Sequence, residues 1–163
     1  MDSDEKIQAH LVSVWREPKK TFSIGGREGM LVLTDRHLMF IHKTDANPNW
    51  WKAITSRQVI NLIKSKNTMI IHDGYTEKEL MDDLDIEKNV EISFDDISKI
   101  NHEEKDWGSV LYLEYKKDGK QEKFQYSIAQ DWVIYPIKAP TKYMKVDWTP
   151  FVQYIKDRQN FTE

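Results

Sequence analysis

The chain has 163 residues with 39% hydrophobic, 31% charged and 12% aromatic side chains, which is the make-up of one globular domain with its own core and excludes a disordered chain. It has no cysteine, which excludes a disulfide framework and a thiolate metal site. The net charge is -3 but unevenly spread: bases outnumber acids six to three from Arg16 to Lys43, whereas acids outnumber bases twelve to four from Glu77 to Asp106. The acidic half repels phosphate backbones, so no nucleic-acid partner is expected.

The opening residues MDSDEKIQ lack the basic and apolar regions of a signal peptide, and no apolar run approaches 18 residues. With the lack of cysteine, this points to a cytoplasmic protein. Ile7, Leu11, Val14 and Trp15 stand at i, i+4, i+7 and i+8, so residues 1–17 are expected to form an N-terminal helix ended by Pro18. A short first strand follows at Thr21 to Ile24. Next, GMLVLTDRHLMFI reads as two apolar strands about an Asp35-Arg36 turn, setting Leu33 opposite Leu38 and Leu31 opposite Phe40. Met30, Val32, Met39 and Ile41 are apolar too. Both faces of this hairpin must therefore be covered by a second sheet or a helix.

Residues 44–89 change character and read as a helical insertion. After Asn47-Pro48-Asn49 come Trp50 and Trp51, then Val59, Leu62 and Ile63 on one face of a helix ending near Lys66. Asp73-Gly74 marks a turn, and Thr76 with Glu79 makes a capping box before Leu80 and Leu84. Strand structure resumes with Val90, Ile92 and Phe94, and the apolar pattern continues through Ile97 and Ile100. In GSVLYLEYKKDGKQEKFQYSI an Asp118-Gly119 turn pairs Leu113 with Phe124, Leu111 with Tyr126 and Glu114 with Lys123, and one register suits both faces. A further strand is expected at Trp132 to Tyr135. Thr149 then reads as the N-cap and Pro150 as the first residue of a capping helix over 147–159, with Trp148, Phe151, Val152 and Ile155 as its apolar stripe.

The element order resembles the pleckstrin-homology-like (PH-like) superfold. More narrowly, EGMLVLTDRHLMFI resembles the GRAM and prokaryotic PH-domain pattern, carried here by Gly29, Leu31, Leu33, Thr34, Arg36, Leu38 and Phe40, with Ile92, Asp96, Ile97 and Ile100 matching a later Asp-Ile step. The resemblance implies an α+β, mainly β, fold: an antiparallel β-sandwich or partly open barrel capped by the C-terminal helix, in one domain over 1–163. It also implies a non-enzymatic interaction module that binds a protein partner or, more weakly, an anionic membrane surface.

Phosphoinositide-binding PH domains use basic residues on the first strands and the loop between them. Lys19, Lys20 and Arg27 occupy that neighbourhood and Arg36 the next turn, as a phosphate or membrane site or as plain solvated charge; Lys138, Lys142 and Lys145 form a second such segment. Trp50 and Trp51 are either sheet cover or a partner contact. No cofactor is implied. The five histidines, at 10, 37, 42, 72 and 102, have no helical i, i+4 spacing, and Asp82, Asp83 and Asp85 fail the calcium-loop pattern, so no metal site is expected. A competing reading is a small hydrolase or transferase using His102 with Glu103, Glu104 and Asp106, but no nucleophile elbow or phosphate loop accompanies it.

Overall fold

The computed structural model describes residues 1–19, 26–129 and 143–159. Seven antiparallel strands form one sheet in the order β4-β3-β2-β1-β7-β6-β5. The strands are β1 (Ile7–Pro18), β2 (Arg27–Thr34), β3 (His37–Ile41), β4 (Val90–Ser93), β5 (Ile97–Lys105), β6 (Gly108–Lys117) and β7 (Lys120–Ile128). Helices α1 (Pro48–Ser65) and α2 (Glu77–Leu84) lie between β3 and β4, and α3 (Thr149–Arg158) closes the chain. This is the mainly β fold with a C-terminal helix that the sequence implies.

The first element corrects the sequence reading, because residues 7–18 are a strand and not a helix. Both faces of β1 are buried. Ala9, Leu11 and Val14 enter one core while Ile7 and Val12 enter another, so the strand lacks a polar face and its apolar residues mimic helical spacing. A bulge completes the disguise: Ser13 has φ 54°, and the pairing with β2 shifts between Leu11 and Val14. The expected strand at Thr21 to Ile24 and that at Trp132 to Tyr135 lie outside the described residues.

Both predicted hairpins adopt the expected register, with Leu33 opposite Leu38 and Leu31 opposite Phe40, and Leu113 opposite Phe124 with Glu114 opposite Lys123. Asp118 at φ 52° and Gly119 at φ 77° give the left-handed pair that a two-residue turn requires. The stretch from Val90 to Ile100 is two strands, divided by a 3-10 turn at Phe94–Asp96 that drops Phe94 into the core.

The inner face of the sheet packs around Trp148, which precedes α3, and Phe151 and Ile155 within it, each fully buried. Asp147, just before the helix, accepts the Thr149 amide at 2.9 Å, so the N-cap position is Trp148, one residue earlier than expected. Gln159 ties the far end to the Phe94 and Ile97 carbonyls at 2.9 Å each. The outer face, Val12, Met30, Val32, Met39 and Ile41, is covered by Ile54, Tyr75 and Leu80 of the insertion. The Thr76–Glu79 capping box is formed as expected. Leu62 is buried, but Ile63 is 63% exposed.

A buried polar seam fastens the insertion down. Gln58 accepts the Val12 amide at 2.8 Å and donates to the Val12 carbonyl at 2.7 Å, while His72 meets Gln58 at 2.9 Å. His10 is 1% exposed, stacked on Tyr75 at 4.8 Å and edge-on to His72 at 5.5 Å. Burial, reinforced by His72, holds the His10 pKa down to about 3; burial and then Arg57 hold His72 down to about 4.

Replacing Trp148 by Ala should cost about 3–5 kcal/mol, read by urea unfolding. The unfolded chain binds protons at His10 and His72 from pH 6.5 downward while the folded one does not, so stability must fall as pH drops from 6.5 toward 4, by about 2 kcal/mol at pH 5 for His10 alone. Denaturation midpoints at a series of pH values should show this slope, reduced in His10→Leu; an unchanged slope in that variant contradicts the assignment.

Candidate functional site

The basic residues singled out in the sequence separate in space. Arg27 opens β2 directly opposite Arg16 on β1, whereas Arg36 lies beyond the other end of β2. There Arg36 binds the N-terminal segment, with Nη1 2.8 Å from Asp2 and 2.7 Å from Asp4 and Nη2 2.9 Å from Asp4. These hydrogen bonds, that to Asp4 first, raise the Arg36 pKa and lower that of Asp4. Lys19 sets its ammonium 4.5 Å from the centre of the Tyr112 ring, and Lys20 lies outside the described residues, as do Lys138 and Lys142.

Other cations gather near Arg27 instead. The pairing of Met30 with Ile41 and of Phe40 with Val90 brings His42, Lys43 and Lys88 to the same rim of the sheet. Asn89 fixes that corner, accepting the His42 and Lys43 amides at 3.0 and 3.1 Å. Burial lowers the His42 pKa, and the charges of Arg16, Arg27, Lys43 and Lys88 add to it. Among the described residues none of these four cations forms a salt bridge. The sequence reading missed Arg16, His42, Lys43 and Lys88; the signal was the register that places 16 opposite 27.

Arg16 differs from the other rim cations because it turns inward. Its guanidinium carbon lies 4.5 Å from the Phe40 ring centre and 4.4 Å from that of Phe124. Among the described residues, Arg16 Nε is buried and has no hydrogen-bond partner. Burial raises the Tyr126 pKa, opposed by the charge of Arg16 and by its guanidinium N–H beside the Tyr126 hydroxyl.

Trp50 and Trp51 are half-buried against the outer-face core. Trp50 Nε1 donates to the Asp73 carbonyl at 2.8 Å, and its ring stacks with His10 and Tyr75. Beside it, a cleft of about 320 Å³ is lined by Asp45, Trp50, Tyr75, Glu79, Asp82 and Asp83 among others. Asp83 is 2% exposed and is the hub of this corner, accepting from the Tyr75 hydroxyl, from Thr44 at 2.6 Å and from the Asp45 amide at 3.2 Å.

His102 is exposed on β5, 3.4 Å from the Thr149 hydroxyl. Glu103 turns to Lys105 at 2.9 Å, which lowers its pKa, and Glu104 lies 3.5 Å from Ser109. These side chains do not converge on one point. Among the described residues, no group of three His, Cys, Asp or Glu is arranged to hold a metal ion, and no helix is long and apolar enough to cross a membrane.

Among the described residues the architecture is a seven-stranded antiparallel sheet closed by a C-terminal helix. Among solved structures, the chain is similar to the "Vps36 N-terminal PH domain", at 15% identity and a TM-score of 0.46, over 97% of this chain and 81% of that one. No family model and no curated protein matches it.

Because Arg36 is committed to the N-terminal segment, Arg36→Ala should leave pelleting with anionic vesicles unchanged. It should instead speed hydrogen exchange at the Glu5 amide, which the segment holds against the Asp2 carbonyl. Reduced pelleting would show that Arg36 belongs with the rim cations after all.

Proposed function

We propose that the chain is a non-enzymatic interaction module, of GRAM or prokaryotic PH-domain kinship and cytoplasmic, that binds a protein partner through the outward face of α1. The observation that supports this reading is the character of that face. Ile60 and Ile63 are 53% and 63% exposed, Ile71 in the following segment is 63% exposed, and the helix carries Lys52, Arg57 and Lys64 but no acid. Its inward residues, Ile54, Thr55, Gln58 and Leu62, are already spent on the sheet. Exposed isoleucines on a helix whose charged residues are all cations match a partner surface that is apolar at its centre and acidic at its margin.

A weaker second reading is contact with an anionic membrane through Arg27, Lys43 and Lys88, for which the supporting observation is their lack of acidic partners among the described residues. Each such cation near an anionic bilayer contributes about 1 kcal/mol, so the attachment is weak and salt-sensitive.

Removing the whole insertion is a poor test, because it would uncover Met30, Val32, Met39 and Ile41. The exposed double variant Ile60→Ser, Ile63→Ser leaves the core intact. Proteins captured from lysate by the wild type should be lost from this variant, with urea stability changed by less than about 0.5 kcal/mol. Equal capture by both sinks the protein-partner reading. Pelleting with phosphatidylserine vesicles that depends on the two isoleucines, with no protein lost, would make the face a membrane contact instead.

A further inference from the structure

We propose that residues 72–86, which carry His72, Tyr75 and α2, form an acid-opened lid over His10 that lifts from the outer face as the pH falls while the rest of the sheet stays folded. The inference is independent of the partner face on α1, because it concerns the inward side of the insertion.

His10 lies on the outer face of β1, and the insertion supplies most of its cover. Its ring stacks on Tyr75 at 4.8 Å and on Trp50 at 5.8 Å and meets His72 edge-on at 5.5 Å, while from the sheet Met30 Sδ lies 3.0 Å from Nε2. Of these four neighbours, His72 and Tyr75 belong to the 72–86 stretch. Lifting that stretch therefore gives water to both imidazoles, to His10 by removing its cover and to His72 by carrying it outward.

Neither imidazole is well placed to hold a proton while the lid is closed. His10 faces a thioether from β2, the Trp50 ring from α1, and His72 and Tyr75 from the lid, with Met39 and Ile41 of β3 and Leu80 of α2 completing the apolar cluster. The nearby carboxylates are turned elsewhere: Glu77 accepts the Ile7 amide at 3.2 Å, Asp83 accepts from the Tyr75 hydroxyl and from Thr44, and Glu79 and Asp82 act on Tyr75. His72 faces Gln58 and the cation Arg57, and the Asp73 carboxylate only partly offsets burial and Arg57. Closed, the two titrate at about 3 and about 4 against an ordinary 6.5, so the closed state is fully favoured above pH 6.5 and loses ground as the pH falls from there. At pH 5 each imidazole raises the open-to-closed ratio about thirtyfold, and the two together about a thousandfold.

The lid has anchored ends and a small stake in the core. The Ile70 carbonyl accepts the His10 amide at 2.6 Å, and Asn89 accepts the His42 and Lys43 amides, so the stretch between them can move without either end leaving the sheet. Within α2 only Leu80 and Asp83 are buried. Helix α1 is held more firmly: Gln58 is bound to Val12, Leu62 lies in the inner core, and beyond the helix the Lys66 carbonyl accepts the Asp147 amide at 2.8 Å. Elements that bury little and are tied by a few polar contacts open first.

The test is hydrogen exchange of the full chain, followed by mass spectrometry from pH 7 to pH 4, with rates corrected for the pH dependence of free amides. From pH 7 to pH 5 the α2 amides should speed up toward the unprotected rate, by as much as about a thousandfold in the wild type and about thirtyfold in His72→Gln, which keeps a donor for Gln58. The double variant His10→Leu, His72→Gln should show no such rise. At the pH where α2 reaches the unprotected rate, β6 and β7 should still be protected. The proposal is overturned if α2 loses protection together with β6 and β7, if its corrected rates stay flat between pH 7 and pH 5, or if the double variant speeds up as the wild type does. Should the double variant not fold, the first two comparisons, made on the wild type, decide the matter.

Discussion

Strand β1 belongs to both halves of the sheet, and every other element is placed by that fact. It pairs with β2 from Ile7 to Arg16 and with β7 from Val14 to Pro18, so for three residues it is hydrogen-bonded on both sides. The bulge at Ser13 falls where the second partner joins, and the Ala129 amide donates to the Ser13 carbonyl at 2.9 Å. An extra residue at that point bends the strand and increases its twist, which lets one chain segment serve two differently inclined sets of strands. The space inside the bend is filled by Trp148, at the N-cap of α3, and by Phe151 and Ile155 within the helix.

The same strand explains what was legible in the sequence. Hairpins could be read because their determinants are local: a two-residue turn fixes the register, and side chains on both faces then have to agree. The capping box at Thr76 and the stripe of α3 are local in the same sense. β1 could not be read, because its partners lie some 20 and 110 residues away in the chain and its burial on two faces erases alternation. That single miss hid Arg16, since a residue assigned to a surface helix carries no expectation of meeting Phe40 and Phe124. Ile63 was misjudged for a related reason: spacing identifies a helix face but not which of two adjacent faces meets the sheet.

The insertion also changes in meaning once its contacts are known. As sequence it is the part the scaffold does not require. As structure it is the roof over the outer face of β1, β2 and β3, so its inward side chains are constrained by stability and its outward ones are free for recognition. The charges divide in a comparable way. Arg36 is neutralised by Asp2 and Asp4 as part of how the N-terminal segment is held, while the cations at the opposite rim carry no such obligation among the described residues.

Gln58 gives this arrangement an evolutionary consequence. Its amide group completes the main-chain valences of Val12 at the bulge, doing for one residue what a neighbouring strand would otherwise do. Asparagine would fall one methylene short, and sliding the helix by a single position would leave both backbone groups dry and unmatched. The two-helix segment is therefore keyed to its host strand rather than carried as a detachable cassette, and a descendant could exchange it for a different one only by mending the bulge in the same step.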